Sequence, residues 1–239
     1  MKKLILLFIT LSTISFSRDI PSDNKIQGRL NIINGASAEC VMHKFYTQSS
    51  WIQIEGEIGR NGIDGLYYKL NKKDKIKEVL VAESKWNSSR LSKSGKNKTI
   101  KQMSQKWVLK TINKLIKKNP NMPYKTLKQF IKQNQYRARL FRLKPTSNNS
   151  IQITIYKIKN KGSNAFDEIK DTQLDPININ YPKNSFETTM VNTYNSCRTQ
   201  YLNKYLPSIT ENEIKKLLTD NYLQKKDIKK VFSTNQGKK

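Results

Sequence analysis

The sequence holds one histidine, His43, in 239 residues. A site built on paired imidazoles is thereby excluded. With two cysteines, Cys40 and Cys197, a Cys/His zinc site is close to excluded as well. Neither a glycine-rich phosphate loop nor an internal repeat occurs, and past the N-terminus no apolar run is long enough to span a bilayer. Acidic residues are scarce: 18 Asp and Glu stand against 45 Lys and Arg, a formal charge of +27. Such a surplus sets up a positive field that favours polyanions, either nucleic acid or an acidic membrane surface. The alternative is a secreted basic protein whose lysine count reflects a lysine- and asparagine-rich, AT-biased genome.

What is present begins with "MKKLILLFITLSTISFS", residues 1–17. Two lysines, an apolar run from Leu4 to Ile9 and small polar residues have the layout of a secretory signal. The alternative is an uncleaved anchor. Cleavage near Ser17 leaves an exported chain, periplasmic or secreted, with no stable membrane association. No cysteine lies near the cut, which argues against a lipid anchor. In an oxidising compartment Cys40 and Cys197 can close a long loop with a disulfide, worth up to roughly 4 to 5 kcal/mol, or remain two buried thiols.

Periodicity then organises the chain. Ala38, Val41, Met42 and Phe45 recur at helical spacing, "WIQIEGEI" alternates like a strand, and "IDGLYY" and "KEVLVAES" flank a lysine-rich turn. After the polar loop "SSRLSKSGKNK", "TIKQMSQKWVLKTINKLIKKN" predicts a helix ended by Pro120 and Pro123. "NMPYKTLKQFIKQNQ" predicts a shorter helix, and "YRARLFRLK" with "SIQITIYKIK" a strand pair. Residues 162–183 read as loop. Thr210 and Glu213 form a capping-box pattern opening a C-terminal helix. The expected division is a signal at 1–17, a core at 18–160 and a basic, mainly helical extension at 161–239.

The hairpin raises the chemical question. A turn centred near Lys73 and Asp74 makes partner numbers sum to about 147. Leu66 then faces Val81, Tyr68 faces Val79, and Asp64 faces Glu83. Opposed residues on one face stand only ~4.5 to 5.5 Å apart at Cβ, so the two carboxylates repel unless a cation sits between them. Lys85, two residues beyond Glu83, projects from the same face. Two carboxylates and an amine at one sheet corner suit Mg²⁺ or Mn²⁺ and the activation of water against a phosphodiester. A surface salt bridge among the three is the alternative. Gln102 and Gln105 extend the inward stripe of the following helix, ahead of Leu109, Ile112, Leu115 and Ile116.

In this order, "NGID…VAESKW" followed by "KQMSQKW" resembles the PD-(D/E)XK, or restriction-endonuclease-like, nuclease superfamily. Asp64 matches its Asp and Glu83-Ser84-Lys85 its (D/E)-x-K. The glutamine-bearing helix is similar to that of contact-dependent-inhibition toxins and related bacterial nucleases. The resemblance covers roughly residues 34–118, and Ile63 stands where the motif has proline. It implies an α/β fold with an α-β-β-β-α-β core and a mixed sheet. It also implies metal ligands Glu39, Asp64 and Glu83 with the Ser84 carbonyl, and a water-orienting Lys85. Gln102 and Gln105 would position the lysine or substrate. Glu55 and Glu57 are rivals for the place of Glu39. The implied activity is divalent-metal-dependent phosphodiester hydrolysis, DNA ahead of RNA. Histidine-pair ribonucleases, HKD-type enzymes and HNH nucleases need more imidazole than His43, which reads as a helix-surface or satisfied interior residue.

Nucleic-acid contact is expected from Arg90, Lys93, Lys96 and Lys98 in the basic loop. Arg137, Arg139 and Arg142 are expected to line one strand face. The competing functions are a non-catalytic basic protein that binds nucleic acid or serves DNA uptake, and an interbacterial effector with an immunity protein as partner. Oligomeric state stays open.

Overall fold

The unbroken apolar run at 79–82 needs a sheet that is covered on both faces, and the fold supplies one. The computed structural model describes residues 23–54, 62–94, 99–118, 120, 123–146, 149–161 and 165–205. The predicted signal at 1–17, Glu55, Glu57, Lys96, Lys98 and the predicted helix opening at Thr210 lie outside the described residues.

Helix α1 (Asp23–Gln48) leads through β1 (Ile52–Gln53) to β2 (Gly65–Leu70) and β3 (Ile76–Trp86). A small hairpin, β4 (Lys93–Ser94) and β5 (Ile100–Lys101), precedes α2 (Gln105–Lys118) and α3 (Tyr124–Lys132). Then come β6 (Arg137–Thr146), β7 (Ser150–Lys161), β8 (Ala165–Gln173), β9 (Ile177–Asn178) and α4 (Ser185–Tyr205). The main sheet runs β1-β2-β3-β6-β7-β8, with β9 added on β7. Among the described residues only β3 and β6 pair in parallel, which requires the crossover that α2 and α3 provide; the other described pairings are antiparallel. The fold is therefore α/β with a mixed sheet.

Strand β3 lies inside the sheet, and residues 79–84 are all buried. On one face Tyr67, Leu80, Ala82 and Phe141 pack against Val41, Met42 and Tyr46 of α1 and Met190 and Tyr194 of α4. On the other, Leu66, Val79, Val81 and Leu140 pack against Val108 and Ile112 of α2 and Leu127 and Ile131 of α3. Cys40 and Cys197 form a disulfide between α1 and α4 across a separation of 157 residues. Among the described residues no helix is long and apolar enough to cross a membrane.

The expected register holds: Leu66 pairs with Val81 and Tyr68 with Val79. Asn71 fixes the turn, its Oδ1 accepting from the backbone N–H groups of Lys73 and Lys75, while Asp74 takes φ 54°.

Two expectations differ from the structure. Helix α2 starts at Gln105 rather than Thr99, because Ser104 caps it by accepting from Trp107 N and Val108 N. Residues 162–183 contain β8 and β9, which extend the same sheet. Across the expected boundary at 160 the sheet continues into β8, and residues of β8 and α4 pack into the same cores as the preceding segment. The described part of the expected helical extension holds two strands and one helix.

Candidate active site

The corner is assembled where β2 begins and β3 ends. Asp64 directly precedes β2, and its neighbour Gly65 is dictated by packing. A Cβ there would stand 2.5 Å from the Tyr67 ring, which leans back along the strand. The Asp64 carboxylate is tied to β3 through Oδ2, which accepts from Ser84 N at 2.8 Å and Ser84 Oγ at 3.0 Å. Burial is the main influence raising the Asp64 pKa and the charge of Glu39 adds to it, while Ser84 and Lys85 oppose the rise.

Glu83 is 1% exposed. Its Oε1 accepts from Lys85 Nζ at 2.7 Å and from Gln102 Nε2. Its Oε2 is buried without a hydrogen-bond partner. Burial first, and the Asp64 charge second, push the Glu83 carboxyl up to about 8 despite Lys85. A neutral carboxyl resolves the repulsion in one way; a cation beside the two acids resolves it in another.

Gln102 lies in the turn between β5 and α2 and is doubly anchored. Its Oε1 accepts from Ser92 N at 3.0 Å and Ser92 Oγ at 3.2 Å. Its own N–H donates to Ser92 O at 2.8 Å. The next residue, buried Met103, is held at φ 72°. A left-handed bend at a non-glycine residue costs on the order of 1 kcal/mol, and here it separates Gln102 from the helix axis. Ser92 had no sequence signal; its role follows from the hairpin that brings it to Gln102.

Glu39 comes from α1, on the other face of the sheet. Its Oε1 lies 3.5 Å from His43 Nε2, and His43 Nδ1 lies 2.6 Å from Tyr67 Oη. The i,i+4 spacing of Glu39 and His43 was visible in the sequence; the link to Tyr67 was not. Glu39 is near enough for its charge to act on Asp64. Even so, among the described residues no three His, Cys, Asp or Glu side chains form a group that could hold a metal ion.

Other expected residues are placed elsewhere. Gln105 donates to Ile131 O at 3.0 Å, fastening α2 to α3 rather than reaching Glu83. Arg137, Arg139 and Arg142 do not share a strand face, because an odd step along β6 moves Arg142 to the opposite side. Arg137 pairs with Glu78 at 2.6 Å and Arg139 with Asp171 at 3.1 Å. Arg142 donates to the carbonyls of Asn87 and Ser89, stapling the exit of β3. Arg90 and Lys93 are exposed.

Two adjacent carboxylates of raised pKa, one carrying a buried oxygen without a partner, match the oxygen ligands that Mg²⁺ and Mn²⁺ take. Asp64 and Glu83 fit such an ion; Glu39 in its present rotamer is engaged with His43. No family model, curated protein or solved structure matches the chain.

Proposed function

We propose that the chain is an exported, divalent-metal-dependent nuclease that hydrolyses phosphodiester bonds, DNA ahead of RNA. The observation that carries this reading is Glu83. It is a buried carboxylate beside a second carboxylate, clamped by Lys85 and Gln102, with one oxygen left over. Burying an ionisable carboxyl this way, with one oxygen unpaired, is costly unless it serves a ligand. The order α1, β1–β3, crossover helix and parallel β6 is the order expected of a restriction-endonuclease-like core and supports the same reading. The disulfide supports an oxidising destination.

Asp64 and Glu83 would hold the ion, with Glu39 and the Ser84 carbonyl as further ligands. When bound, a divalent ion supplies charge stabilisation to the phosphodiester and acidifies water. The residues of the chain do the rest. Ser84 fixes one Asp64 oxygen, and Gln102 fixes one Glu83 oxygen. Lys85, half-buried at the strand end, donates hydrogen bonds that orient a water toward phosphorus. The single histidine takes no part in proton transfer.

A second reading, a basic nucleic-acid-binding protein without cleavage, is favoured by the charge of +27. Purified protein incubated with plasmid DNA and with RNA, in Mg²⁺, Mn²⁺ or chelator, separates the two. Metal-dependent cutting that is lost in Glu83→Ala and Lys85→Ala supports the nuclease. Salt-sensitive binding with no cutting in any metal supports the second reading.

A further inference from the structure

We infer that the outer face of α2 is the track along which one strand of a nucleic acid leaves the Glu83 corner. This deepens the nuclease reading and rests on it only for the place where the strand begins. Lys106, Lys110, Lys114 and Lys117 stand exposed on one side of α2. With Ile100 and Leu109 as floor they line an open groove of about 580 Å³. No ion pair joins any of the four to a described acid. The arginines of β6, by contrast, are spent on Glu78, Asp171 and backbone carbonyls. Among the described residues, α2 therefore presents a row of four cations without an acid partner, which the arginines of β6 do not.

The spacing selects the occupant. Steps of four, four and three residues along a helix put successive ammonium groups about 5 to 6 Å apart, and residues 106 to 117 cover roughly 16 Å. That is a row of point charges at the pitch of phosphates on an extended strand, long enough for a few nucleotides. The apolar floor suits sugar and base faces, whereas an acidic protein would need a far wider contact than one helix. Position completes the case: the row begins four residues after Gln102, whose side chain touches Glu83.

The test is the salt dependence of binding of a labelled single-stranded oligonucleotide, measured in chelator so that no cleavage intervenes. Wild type is compared with K106Q/K110Q/K114Q/K117Q and with K72Q/K73Q/K75Q/K77Q, which removes equal charge from the exposed β2–β3 turn and the start of β3. Neutralising four phosphates on a single strand contributes a slope of about 3 in log K against log salt. The α2 variant is expected to lose most of it, and the turn variant less than one. Equal losses from the two variants, or wild-type binding by the α2 variant, overturn the track. Displacement of the oligonucleotide from wild type by poly-L-glutamate at equal charge concentration, as effective as by unlabelled strand, overturns the choice of occupant. Wild-type cleavage is measured separately with added Mg²⁺. Its absence removes the nuclease reading while the slopes still decide the track.

Discussion

At the scale of the residue, Glu83 sets the terms. Its folded pKa of about 8 lies above the ordinary 4.5. Between those values the folded chain keeps a proton that the unfolded chain has lost. Stability of the metal-free protein therefore falls as pH rises from about 5 to 8, by a few kcal/mol at most. Urea denaturation in chelator at pH 5 and pH 8 measures this, and Glu83→Gln is expected to flatten the difference. A Glu83→Gln variant as pH-sensitive as wild type over that range contradicts the assignment. The sequence made Asp64, Glu83 and Lys85 legible because strand parity and turn position settle which residues meet. It left Ser92 and Tyr67 unread, since each reaches the site through contacts distant in sequence.

Elements explain what the sequence pattern concealed. Gln102 and Gln105 looked equivalent on a helical stripe, yet Ser104 starts the helix between them, and the Met103 bend sends Gln102 to Glu83 while Gln105 turns to α3. Replacing Gln102 by Leu leaves Ser92 and Glu83 each short of a partner. A loss of about 1 to 3 kcal/mol is expected by denaturant unfolding, together with faster hydrogen exchange at the Ser92 amide. Unchanged exchange there would mean that Gln102 does not hold the hairpin. The α1–α4 pair carries the disulfide. Its reduction is expected to lower stability by up to roughly 5 kcal/mol, the loop-closure term for a bridge spanning 157 residues. Thermal melts with and without dithiothreitol read it. The pairing itself could not be deduced from two cysteines so far apart; it needed α1 and α4 side by side.

For the whole molecule, the lesson concerns where the domain ends and where its charge is free. A loop-like composition at 162–183 hid β8 and β9, because short strands at a sheet edge carry many exposed polar residues. The net charge was legible at once, but which cations remain unpaired depends on the fold. The sheet also carries the site's elements as a unit. Asp64 and Glu83 are joined by the β2–β3 pairing, and Gln102 arrives at the start of the crossover that makes β3 and β6 parallel. The chemistry proposed for this corner rests on one quantity, its uptake of a divalent ion. The most direct measurement is isothermal titration of Mg²⁺ and Mn²⁺ into wild type and Glu83→Gln at pH 7, in two buffers of different ionisation enthalpy. One ion bound per chain with release of a proton, lost in Glu83→Gln, is the expected result. Wild-type protein that takes up neither ion, or Glu83→Gln that binds as wild type does, contradicts a metal site at Glu83.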